Sequence, residues 1–125
     1  LFDLTRIMSI RRSKETFELE PGFKPADHFK KAFGVFIQGP DDPKHVKIWF
    51  RKAVARSIVN RSWHHSERWE DGGEEGDILH MDVRTCPELV RWILGFGPTA
   101  KVIEPPDLKE RVRKTLEDAR ALYEA

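Results

Sequence analysis

A chain of 125 residues with a 39% hydrophobic and a 10% aromatic share can bury one core of ordinary size. Its charged share of 34% is high, but the signs cancel to a formal +1, so no global field directs it to nucleic acid or to an anionic membrane. The one cysteine, Cys86, excludes an internal disulfide, and no apolar run approaches the ~20 residues of a spanning helix; a reducing, cytoplasmic setting without membrane contact is expected.

Residues 1–10 alternate, with Phe2, Leu4, Ile7 and Ile10 against Asp3, Thr5 and Arg6, which predicts a half-buried strand. A strand alone is not stable, so its partners are expected from sequence outside this chain or from another chain. The basic run Arg11-Arg12-Ser13-Lys14 reads as solvated surface. A connector around Pro21-Gly22 leads to a helix over 26–33, with Phe29 and Phe33 one turn apart and Gly34 as its stop. A strand over 35–37 and a turn over 38–43 follow.

The next strand, 46–51, places Val46, Ile48 and Phe50 on one side and Lys47, Trp49 and Arg51 on the other. A helix over 52–61 carries Val54 and Ile58. Strands at 67–70 and 77–83 flank the acidic glycine-rich stretch 70–77, read as a flexible hairpin turn; its oxygen spacing does not suit a calcium loop. Leu79, Met81 and Val83 share one face, and Ile78, His80 and Asp82 the other. Thr85-Cys86-Pro87-Glu88 predicts a capping box opening a helix over 87–94. A strand over 100–104 ends at Pro105-Pro106, and the tail, 107–123, is an amphipathic helix with Leu108, Val112, Leu116, Ala119 and Tyr123 in one stripe. The basic spot Arg111, Arg113 and Lys114 reads as surface.

From 46 to 104 the order is strand, helix, strand, strand, helix, strand. It predicts an α+β fold: a ferredoxin-like βαββαβ antiparallel sheet with both helices on one face and a further C-terminal helix. The other sheet face would be open, carrying Lys47, Trp49, Arg51, His80 and Trp69. Aromatics interleaved with cations can stack bases and hold phosphates, but exposed tryptophans more often pack against another domain or subunit, which is the preferred expectation. An RNA-recognition signature is absent from the strand Ile-Leu-His-Met-Asp-Val.

Enzymatic readings find little support. His64-His65 with Glu67 or Glu70 lacks metal-ligand spacing, and Cys86 at a helix start has no evident histidine base. Neither a nucleophile–base pair nor a phosphate loop stands out, so no catalytic residue, metal or cofactor is expected.

Two stretches resemble a known family. Phe2-Asp3-Leu4-Thr5-Arg6-Ile7, followed by Phe17 and Pro21, resembles the final strand of a WYL domain. Leu89-Val90-Arg91-Trp92-Ile93-Leu94-Gly95-Phe96-Gly97-Pro98, with Val102-Ile103-Glu104-Pro105-Pro106-Asp107-Leu108, is similar to the hallmark of the C-terminal extension of that family, called WCX. The resemblance implies a division into the last WYL strand (1–20) of a truncated β-barrel, a connector with a short helix (21–44) and the extension (45–125). It implies the effector-sensing and dimerisation region of a bacterial DNA-binding transcription regulator. Nucleotide or nucleic-acid effectors would act through the WYL domain, and DNA would bind through an N-terminal helix-turn-helix outside this chain. A homodimer is implied as well. Arg6, at the arginine of the family's "R-I" ending, is the one WYL site position that carries over. The alternative is a module that binds single-stranded nucleic acid or nucleotides directly on the open sheet.

Overall fold

The computed structural model describes residues 4–34 and 42–125. Among the described residues the helices and strands follow in the order α1 (Pro25–Phe29), β1 (Lys44–Arg51), α2 (Lys52–Ile58), β2 (Arg68–Asp71), β3 (Gly76–Val83), α3 (Pro87–Leu94), β4 (Ala100–Glu104) and α4 (Pro106–Glu124), with short 3-10 turns at Leu4–Arg6 and Gly97–Thr99. The four strands form one open sheet in the order β2-β3-β1-β4, with every neighbouring pair antiparallel.

The β1 alternation decides which sheet face is covered. Val46, Ile48 and Phe50 are fully buried, and the register sets Val46 against Met81 and Ile48 against both Leu79 and Val102. Ala55 and Ile58 of α2, Leu89, Val90 and Ile93 of α3, and Leu108 and Val112 of α4 close over this apolar face, so the helices lie on one side of the sheet. Phe50 is the hub of an aromatic cluster. Its ring lies 5.0 Å from Phe96 and 5.8 Å from both Trp69 and Trp92, and Trp92 in turn meets Trp63 and Phe33. Edge and tilted contacts of this kind add to what the buried area alone contributes.

Several local features tie loops to this body. His64, buried, approaches the Lys30 carbonyl through Nε2 at 3.0 Å and the Ser66 hydroxyl through Nδ1 at 2.7 Å. A carbonyl can only accept, so Nε2 carries the hydrogen. Burial, and next the neighbouring His65, hold the His64 pKa below its ordinary value. The acidic turn is anchored: Lys52, the first residue of α2, donates to Asp71 at 2.8 Å and Asp77 at 2.6 Å, and its backbone N–H bonds the Glu75 carbonyl. These bonds raise the Lys52 pKa, Asp71 first among the causes.

Three expectations need correction. Residues 1–10 are not a strand where described: Leu4–Arg6 form a 3-10 turn, the chain to residue 20 has no regular element, and Leu4, Met8 and Ile10 are exposed. No described strand pairs with this segment, so nothing supplies the ladder hydrogen bonds. The first helix stops at Phe29, and Phe33 reaches the core from the irregular residues beyond it. The capping box does not form: Cys86 is the N-cap, the buried Thr85 hydroxyl has no hydrogen-bond partner, and the Glu88 carboxylate is turned toward Gly34 instead. The strand expected at 35–37 lies outside the described residues, as does most of the turn after it. In contrast α3 and β4 carry the bounds expected of them.

Candidate functional site: the open sheet face

Cross-strand register arranges the uncovered face into rows. One row runs Lys101–Trp49–Ile78–Glu70, the next Glu104–Lys47–His80–Arg68, and a third pairs His45 with Asp82. Directly opposed residues in a sheet project to the same side, so each row is a set of neighbours.

The second and third rows, together with Glu70 from the end of the first, form a polar network. His80 is buried although it lies on the open face. Its Nε2 is 2.7 Å from Glu70, and its Nδ1 lies 3.1 Å from His45 Nε2 and 3.2 Å from the Arg68 guanidinium. His45 Nδ1 is 2.7 Å from Asp82. With both carboxylates ionised, His80 Nε2 and His45 Nδ1 are the donors to them. Beside this chain Lys47 donates to Glu104 at 2.9 Å, and that bond holds the Glu104 carboxyl below the ordinary carboxylate range.

Glu104 reaches Lys47 because the β1–β4 register shifts between Lys47 and Ile48. Strict alternation would put Glu104 on the covered side with Val102; the bulge re-aims it.

The first row is different. Trp49 is half-buried and sits over Gly76, where a Cβ would overlap the indole and the Phe50 carbonyl. Arg51 and Lys101 are exposed and form no ion pair or side-chain hydrogen bond with any described residue. A planar aromatic surface thus stands between two cations, Arg51 and Lys101, that no acid among the described residues neutralises. Such a row can stack a planar group and attract negative charge, or cover an acidic, apolar surface.

Of the candidate residues, Lys47, Trp49, Arg51 and His80 belong to this face, but Lys47 and His80 are engaged in the network. Trp69 does not belong to it. It lies opposite Leu79 on the covered side and packs on Phe50, because the β2–β3 register, which the sequence does not specify, sets its face. Arg6 sits exposed in the N-terminal 3-10 turn and shares no hydrogen bond or ion pair with the others among the described residues. Sequence reasoning missed Lys101, which takes the place beside Trp49 that Lys47 was expected to hold. Only the β1–β4 register identifies it; the alternation of β4 alone marks Lys101 as outward.

None of the described helices is long and apolar enough to cross a membrane. In comparison with known protein families, residues 42–120 match the WCX domain. No curated protein matches the chain.

Proposed function

The chain belongs to the WCX domain family, the C-terminal extension of WYL-type regulators, and on that premise we propose that it is the effector-sensing and dimerisation region of a bacterial DNA-binding transcription regulator. In this reading residues 1–20 are the end of a WYL domain, 21–44 connect it to the extension, and a helix-turn-helix outside this chain contacts DNA. The protein works in the cytoplasm as a homodimer, and its chemistry is binding rather than catalysis. We read the sheet as ferredoxin-like, because two split βαβ units with helices on one side leave one face for a partner.

One observation carries the proposal. Three of the four tryptophans lie in the covered aromatic cluster, and Trp49 alone stands on the open face, between Arg51 and Lys101. An aromatic in that setting is spent on a partner rather than on the core. The preferred partner is an acidic, apolar surface of a neighbouring domain or subunit. The second reading, a planar anionic effector such as a nucleotide or a single strand, is favoured by the same cations, whose contribution would fall with salt.

Trp49→Ala distinguishes the two. For a docking face the substitution weakens association, with little dependence on salt. For an effector face it abolishes oligonucleotide or nucleotide binding in a fluorescence titration and leaves the association state unchanged. If neither property moves in the regulator that carries this chain, the proposal for this face fails.

A further inference from the structure

A second surface lies away from the sheet, between α3 and α4. Val90 and Leu94 form the apolar floor of a groove there, with Pro87 at one end, and Arg91, Arg111 and Lys114 stand on its rim with Asp118 as the single lining carboxylate. The pairing pattern on α4 is uneven. Arg113 is bonded to Glu110 and Glu117, and Arg120 to Glu124. Arg91, Arg111 and Lys114 form no ion pair or side-chain hydrogen bond with any described residue. The three cations around the apolar floor are thus among those of the helical side that form no ion pair with a described residue.

The same chain carries a segment of complementary character. Residues 15–20 read Glu-Thr-Phe-Glu-Leu-Glu. Phe17 is 85% exposed and Leu19 83% exposed, and the segment has neither helix nor strand. In an extended backbone Phe17 and Leu19 project to one side, and Glu18 and Glu20 to the other. Large apolar side chains left in water together lose the stabilisation that burial would bring. The acidic turn at 70–77 is the other acidic stretch, but it has no large apolar residue at its tip and is already held by Lys52.

We infer that the α3–α4 groove receives the 15–20 segment of a second copy of this chain. Phe17 and Leu19 would lie on Val90 and Leu94, while the long rim cations fold over to Glu18 and Glu20. A second copy is the chosen source because the segment stands clear of its own body, with both apolar side chains in solvent. Reciprocal exchange also fills both grooves and closes the assembly at two copies. This surface is independent of the Trp49 face, so either can fail without the other.

The test uses charge reversal in the full 125-residue chain, read by sedimentation velocity at low salt. The wild-type chain should dimerise, and more weakly as salt rises. Glu18→Lys with Glu20→Lys, and separately Arg91→Glu with Arg111→Glu, should each weaken association by roughly tenfold or more. An equimolar mixture of the two variants should recover a heterodimer, because every arm then meets a groove of opposite charge. Phe17→Ser with Leu19→Ser, at largely exposed positions outside the core cluster, should also weaken association. A monomeric wild type, variants that associate as wild type does, or a mixture that fails to recover would each overturn the inference.

Discussion

The two faces of one sheet differ in how completely they are used. On the covered face the inward β1 side chains belong to one apolar core with residues of three helices, and three tryptophans share one aromatic cluster. On the open face Lys47, Arg68, His45 and His80 are engaged by ion pairs and histidine contacts, while Arg51 and Lys101 beside Trp49 have no such partner among the described residues. The difference shows where stability and function separate. Residues whose interactions are complete within the chain hold the fold, and those left incomplete mark the surface available to a partner.

The covered face should give the largest effect. Ile48→Ala removes a fully buried side chain facing Leu79 and Val102, and should cost about 2–4 kcal/mol in urea unfolding. A loss below about 1 kcal/mol would contradict the burial that defines this face. Gly76→Ala tests the boundary between the faces. The added methyl meets the Phe50 carbonyl and the Trp49 indole at once, so backbone and ring must both shift. A loss of about 1–3 kcal/mol is expected, with a changed Trp49 emission spectrum. Unchanged stability and fluorescence would mean that Trp49 does not cover Gly76.

Smaller and pH-dependent is the contribution of His64, which fastens the Lys30 carbonyl to the body. Its folded pKa is depressed by burial, so the unfolded chain binds its proton more readily. The stability it contributes is present above the ordinary histidine value of about 6.5 and declines as pH falls below it. His64→Gln should flatten the fall in stability between neutral and mildly acidic pH. An identical pH slope in the variant would remove His64 from the account.

Much of this architecture is legible in the sequence because burial and alternation agree. The faces of β1 and β3 follow from period-2 patterning, and Pro87, Gly95, Ala100 and Pro105 bracket α3 and β4 where punctuation is strong. The failures have local causes. Trp69 sits in a strand too short to carry a phase, so a one-residue offset flips it to the other face. Glu104 joins Lys47 through a bulge that alternation cannot foresee. Thr85 and Glu88 have the residue types of a capping box, but Glu88 turns to Gly34. Alternation points to the open face through Lys47, Trp49 and Arg51, yet the cations there without an ion pair among the described residues are Arg51 and Lys101, since pairing across strands is not written in any one strand.

Trp49→Ala tests the central claim most directly. Urea unfolding should change by less than about 1 kcal/mol, because the indole rests on the sheet rather than in the core. Association, measured by sedimentation in the same sample, should weaken by roughly tenfold or more if the face buries Trp49 against a partner. A variant that matches the wild type in both association and oligonucleotide titration would contradict the assignment of the open face as the working surface.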